Sequence, residues 1–128
     1  MIKKVGFIGI GLMGFPMAEN ILKAGYSLKV FNRSQNKAEP LKKFGAEISS
    51  SINEVVHDSD VIITMLTDDI AVNEVMNSNS FLNSLKSTST VIDMSSVRPK
   101  TAIYHGKNLN SKNINYLDAP VSGGTIGA

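Results

Sequence analysis

The chain contains no cysteine, which excludes a disulfide scaffold, a thiolate metal site and a cysteine nucleophile. It has no block of like charge longer than a pair, and 13 Lys+Arg against 11 Asp+Glu leave a formal charge of only +2. A nucleic-acid or membrane-surface partner is therefore not implied. No apolar run approaches the ~20 residues that a membrane-spanning helix needs. Lys3-Lys4 followed by an apolar stretch has the outline of a secretion signal. Gly6, Gly9, Gly11, Gly14 and Pro16 interrupt that stretch, however, and no small-residue cleavage site precedes Glu19. The expected location is cytoplasmic.

What is present is an ordinary globular balance. The 128 residues are 42% hydrophobic and 19% charged, enough for one domain that buries roughly two-thirds of its unfolded surface. Short apolar runs alternate with amphipathic stretches. Strands are expected at 5–8, 27–31, 46–48, 61–65, 91–93 and 114–117, and helices at 13–23, 35–44, 52–56, 69–76 and 99–109. Met13, Met17, Ile21 and Leu22 recur at helical spacing, and Gly25 and Gly45 stand where helix-ending glycines belong. Ser50 or Ser51 is the expected N-cap of the third helix. The Ser/Asn-rich stretch 77–90, with Phe81, Leu82 and Leu85 inside it, reads as a long connection holding one helical turn. Repeated strand–helix–strand units with short loops give a doubly wound α/β fold, a parallel sheet with helices on both faces.

Three segments carry chemistry. Gly9-Ile10-Gly11-Leu12-Met13-Gly14 is a G-x-G-x-x-G motif that leaves an expected strand and opens an expected helix, the context the motif requires. Gly9 permits the tight turn, Gly11 lets the backbone approach a pyrophosphate, and Gly14 lets the helix pack closely on the strand. The helix N-terminus offers free N–H groups and a positive dipole end to the anion. Pro16 is expected in the first helical turn, where its missing N–H costs nothing. Met13 and Met17 read as core, with Met13 close enough to the glycine turn to touch cofactor as well.

The second segment is Asn32-Arg33-Ser34. It occupies the end of the second strand, where an acid usually binds the ribose hydroxyls of NAD. A guanidinium there can grip a 2′-phosphate in bidentate fashion, with Ser34 adding a donor, so the expected cofactor is NADP, with NAD possible. The third segment, 118–124, leaves the last strand as a Ser/Gly loop whose N–H groups and hydroxyl suit a carboxylate.

Together these segments resemble the β-hydroxyacid dehydrogenase family, which includes 3-hydroxyisobutyrate dehydrogenase, tartronate semialdehyde reductase and, more distantly, 6-phosphogluconate dehydrogenase. The matching stretches are 7–18, 31–34, 60–66, 93–96 and 118–124, in family order along the whole chain. The resemblance implies a Rossmann NAD(P)-binding domain over 1–128. It further implies that Met65 and Leu66 line the cofactor, that Ser96 contacts it near the nicotinamide, and that Ser122, Gly123 and Gly124 bind the substrate. Thr67 stands where the family commonly has proline, and Ser96 where it has threonine; both keep the local chemistry. His57 and His105 match no catalytic motif and read as surface or structural residues. No catalytic residue is expected within the chain. The family's acid/base lysine belongs to an all-helical domain that the resemblance places beyond Ala128, and that domain makes most of a homo-oligomer interface. The implied substrate is a small hydroxyacid or semialdehyde. Two alternatives stay open, a non-catalytic nucleotide-sensing Rossmann module and an S-adenosylmethionine methyltransferase. The loop at 118–124 argues against the first and the lack of an acid at Asn32 against the second.

Overall fold

The computed structural model describes residues 4–122 and 124–128. Its centre is a six-stranded sheet formed by β1 (Lys4–Ile8), β2 (Ser27–Phe31), β3 (Glu47–Ile48), β4 (Val61–Thr64), β5 (Thr90–Asp93) and β6 (Asn115–Asp118). All neighbours pair in parallel, in the order β3-β2-β1-β4-β5-β6. This is the doubly wound Rossmann arrangement, with the chain reversing direction of travel between β1 and β4. The helices are α1 (Gly11–Lys23), α2 (Gln35–Ala38), α3 (Ile52–His57), α4 (Asp69–Met76), α5 (Asn79–Leu82), α6 (Pro99–Asn110) and α7 (Gly124–Gly127).

The alternation of side chains along each strand divides the core in two. Val5 and Phe7 of β1, Leu28 and Val30 of β2, and Val61 and Ile63 of β4 pack with Ala18 of α1, Ala38 of α2 and Leu41. Ile8, Ile62 and Val91 pack on the other face with Val55 and Val56 of α3, Val72 and Met76 of α4, Phe81 of α5 and Leu109 of α6. All four residues of β4 are buried, as a central parallel strand covered on both faces must be.

Three local expectations are revised and a fourth is met. The helix expected at 35–44 is two pieces, α2 followed by a 3₁₀ segment Glu39–Phe44. Pro40 is the cause, since it has no N–H to give and its ring crowds the carbonyl four residues back. The first helix begins at Gly11, so Pro16 lies inside its second turn, where it leaves the Leu12 carbonyl without an i+4 donor. Ser51 is the N-cap of α3 by position, but its side chain makes no capping bond. Instead Ser49 Oγ accepts from the Ser51 N–H at 3.2 Å and donates to the carboxylate of Glu54. Within 77–90 the helical turn is α5, capped by Ser78, which accepts from the Phe81 N–H; burial of the Phe81 ring holds it down.

Candidate cofactor-binding site

A cleft of about 670 Å³ opens at the carboxyl ends of β1, β2 and β4, the edge at which open α/β sheets hold ligands. Its floor is the turn from β1 into α1. Gly9 (φ +95°) and Gly11 (φ +73°) are both left-handed, a conformation that costs other L-residues about 1–2 kcal/mol. They differ in surroundings. A Cβ at Gly9 would lie 2.3 Å from the Met65 carbonyl oxygen, whereas one at Gly11 would meet nothing within 4 Å. Gly9 is thus the point where β1 and the β4 loop touch, and Gly11 is the open floor. At Gly14 a Cβ would come within 2.8 Å of the Gly9 carbonyl, so Gly14 serves helix–strand packing. It is buried beneath the turn, and the cleft lining does not include it, Leu12 or Met13.

The donors of the turn are partly committed. The Gly9 N–H bonds to the Phe31 carbonyl at 2.9 Å, and the Ile10 N–H donates to Asn32 Oδ1 at 3.0 Å. The N–H groups that follow, at the start of α1, have no intrahelical acceptor and are the ones left for an anion. Asn32 lines the cleft, yet both ends of its amide serve the backbone: Nδ2 donates to the Ser34 carbonyl at 2.8 Å. It fixes the β1 and β2 turns against each other.

Arg33 and Ser34 line the same cleft, and so does Lys37, which the sequence reading passed over. Lys37 falls four residues after Arg33, and that spacing across the start of a helix was the available signal. Opposite them, Glu74 of α4 forms an ion pair with Arg33, at 3.3 Å and with both side chains largely exposed. Asp68, also on the lining, is occupied as the N-cap of α4 and accepts from the Ala71 N–H. Nothing local in the sequence marks Glu74, because its partner is 41 residues away.

Met65 and Leu66 form the wall on the β4 side, with Thr67 beside them. The Met65 N–H continues the sheet by donating to the Ile8 carbonyl at 3.0 Å. The Leu66 N–H donates to Ser95 Oγ at 2.8 Å. Ser95 is fully buried and its neighbour Ser96 is exposed; Ser96 is outside the lining of the cleft. Below them the Asp93 carboxylate is buried; its Oδ1 accepts from the Thr64 hydroxyl at 2.9 Å and from the Ser95 N–H at 3.1 Å. His105 is also buried, with Nε2 against Asn73 Oδ1 at 2.7 Å. Burial holds its pKa below the ordinary value, although the charge of Asp93 pulls the other way. His57 is exposed beside Asp58. The two histidines are therefore a surface and a structural residue, as the sequence suggests.

The substrate segment is less gathered. Ser122 and Gly124 are exposed, with Gly124 left-handed at φ +61°, and neither lines the cleft; Gly123 lies outside the described residues. From Gly124 the chain forms α7, which packs on α1, and the Ala128 carbonyl accepts from Asn20 Nδ2 at 2.8 Å. Among the described residues no group of three or more His, Cys, Asp or Glu could hold a metal, and no helix is long and apolar enough to cross a membrane.

A parallel sheet in this order, with a glycine turn entering a helix at its switch point, defines a dinucleotide-binding Rossmann domain. The family model for the NAD binding domain of 6-phosphogluconate dehydrogenase matches residues 4–128, and the chain belongs to that family. It is 40% identical over 126 residues to 2-(hydroxymethyl)glutarate dehydrogenase of Eubacterium barkeri, covering 98% of this chain and 42% of the relative. It superposes on Mycobacterium tuberculosis 3-hydroxyisobutyrate dehydrogenase, solved with L-serine, with a TM-score of 0.93 and 31% identity, over 100% of this chain and 43% of the other. An imine reductase from Myxococcus stipitatus in complex with NADP+ gives a TM-score of 0.91 at 25% identity, over 96% of this chain and 42% of the other. The chain thus spans less than half the length of these proteins.

Proposed function

We propose that the chain is the cofactor-binding part of an oxidoreductase that moves a hydride between NADP(H) and a small β-hydroxyacid or semialdehyde. The observation that carries the cofactor choice is the pair of cations, Arg33 and Lys37, on the β2 side of the cleft, with no acid at the end of β2. A carboxylate there would repel the ~2 negative charges of a 2′-phosphate, whereas a guanidinium binds it by charge-assisted hydrogen bonds.

In this reading the open N–H groups at the start of α1 hold the pyrophosphate, and Met65 and Leu66 bound the site on the β4 side. Ser96 and the segment Ser122, Gly123 and Gly124 meet the nicotinamide and the substrate carboxylate. The nicotinamide supplies the hydride; the chain supplies position and electrostatics. No residue near Ser122 in sequence is suited to move the hydroxyl proton that hydride transfer requires, so the acid/base lysine is assigned to a helical domain outside residues 1–128. The substrate class rests on the relatives that act on 2-(hydroxymethyl)glutarate and 3-hydroxyisobutyrate. A homo-oligomer belongs to the same reading and rests on the family resemblance.

The test is a titration of the chain with NADPH, NADH and S-adenosylmethionine, repeated on Arg33→Ala. NADPH should bind most tightly, and the variant should lose about 1.5–3 kcal/mol for NADPH, the range for a hydrogen bond to a charged group, with NADH nearly unchanged. Equal losses for both dinucleotides would remove Arg33 from cofactor choice, and binding of S-adenosylmethionine alone would replace the reading altogether.

A further inference from the structure

The pairing of β4 with β5 sets Thr64 opposite Asp93, an offset of 29 residues. That offset does not stop where the strands stop. The Thr64 hydroxyl donates to Asp93 Oδ1, the Leu66 N–H donates to Ser95 Oγ, and the Arg98 N–H donates to Asp69 Oδ2 at 3.0 Å, each across 29 residues. The Thr101 hydroxyl adds a further bond to Asp69 Oδ2. The loops after β4 and β5 therefore run side by side in register, joined by side chains where the backbone ladder has ended.

Thr64, Asp93 and Ser95 are all buried. A buried carboxylate and two buried hydroxyls are costly unless hydrogen-bonded, and Asp93 Oδ2 has no partner among the described residues; aliphatic residues would pack a strand end without that cost. What aliphatic residues cannot provide is an acceptor for the Leu66 and Ser95 amides, which have no strand partner left. Asp93 Oδ1 takes both the Thr64 hydroxyl and the Ser95 N–H. This leaves the Ser95 hydroxyl oriented to receive Leu66. One carboxylate sets two loops, the one carrying Leu66 at the cleft wall and the one carrying Ser96.

We propose that Asp93, acting through Ser95, is the positioning residue for the β4 wall of the cleft and the β5 loop beside it, the side that would take the second mononucleotide of the cofactor. It touches no ligand itself. The proposal rests on the dinucleotide reading given above. Its signature is selective: loss of the brace weakens binding of the whole dinucleotide but not of the adenosine half, which sits against Arg33.

The experiment compares NADPH with 2′,5′-ADP, the adenosine half alone, by calorimetry on the chain and on Ser95→Ala, Asp93→Ala and Asp93→Asn. Ser95→Ala and Asp93→Ala should weaken NADPH tenfold or more and move 2′,5′-ADP by less than twofold. Asp93→Asn, which keeps an acceptor oxygen for Thr64 and Ser95, should restore most of the NADPH affinity. Ser95→Ala removes a single oxygen and carries the test if Asp93→Ala does not fold. Parallel losses for both ligands, or none for either, would overturn the positioning role and leave the cofactor reading intact. A wild-type chain that binds neither ligand would sink both.

Discussion

The two halves of the cleft solve the same problem by different means. On the β1–β2 side the backbone does most of it: two left-handed glycines turn the chain, and one side chain, Asn32, bonds both the Ile10 N–H and the Ser34 carbonyl. On the β4–β5 side there is no glycine in the turns, and Thr64, Asp93, Ser95 and Asp69 hold the loops through side-chain hydrogen bonds. A backbone site must be open and lacks bulk; a side-chain site can be closed and held rigid. Under the proposed function the difference fits what each half would bind, a spread anionic pyrophosphate against a planar ring that has to be aimed.

The comparison is broken most severely at Gly9, the only one of the motif's glycines that touches the other half. Gly9→Ala places a methyl 2.3 Å from the Met65 carbonyl at a left-handed φ, so strain and clash together should cost about 3 kcal/mol or more of stability. Gly11→Val meets open space and pays only for the backbone conformation, about 1–2 kcal/mol, while its side chain occupies the anion's approach. The expected pair of results is a large drop in Tm for Gly9→Ala, and for Gly11→Val a folded chain that no longer binds NADPH. Thermal melts and titrations read both; a Gly11→Val chain that binds normally would make that turn structural only.

The same contrast explains what was legible in the sequence. The glycine turn is local, since the spacing 9, 11, 14 after an apolar run encodes its geometry; the structure places Gly9 and Gly11 at the floor of the cleft and Gly14 buried beneath it. The sheet was legible because β1 and β4 are almost wholly apolar. Asp93, Ser95 and Glu74 were not legible as a site. Their partners lie 29 to 41 residues away, and which loops meet depends on strand order, which periodicity does not state. Asn32 is marked by its position in the chain; it lines the cleft, and its amide also bonds Ile10 and Ser34. Pro40 is visible in the sequence, and its effect on the second helix follows from its missing N–H.

One contact crosses between the halves at the mouth of the cleft, the Arg33–Glu74 pair. A 2′-phosphate on Arg33 must displace that carboxylate and tolerate its charge. With both side chains exposed the pair itself is worth no more than ~1 kcal/mol. Glu74→Gln should therefore tighten NADPH by about two- to fivefold and leave NADH unchanged. A loss of NADPH affinity would mean that Glu74 holds Arg33 ready for the phosphate.

The smallest expected effect concerns acid, and it should fall on the side-chain-built half alone. His105 joins α6 to α4 through Asn73, and burial keeps its pKa below the usual 6.5. As pH falls through 6.5 the unfolded chain takes up a proton that the folded chain resists, so stability present above that value is lost progressively below it. Asp93 is the charged group that opposes this, since its carboxylate favours the protonated ring; it reduces the effect without reversing it. Three other groups are shifted but act outside this pH interval. The hydrogen bond from Lys29 holds the Asp58 carboxyl down to about 2, and that from Thr101 lowers Asp69; both matter only as pH falls below 3.8. Lys29 is raised above 10.5 by its bonds to Asp58 and Glu47, which matters only in strong base. Between pH 7.5 and 5.5 the Tm of the chain should fall modestly, whereas His105→Gln, which keeps a donor for Asn73 and does not titrate, should stay nearly flat. Amide exchange followed over the same interval should quicken in α4 and α6 and not at the glycine turn. A wild-type Tm that does not change, or exchange that quickens equally in both halves, would count against a neutral buried His105 as the support of the second half.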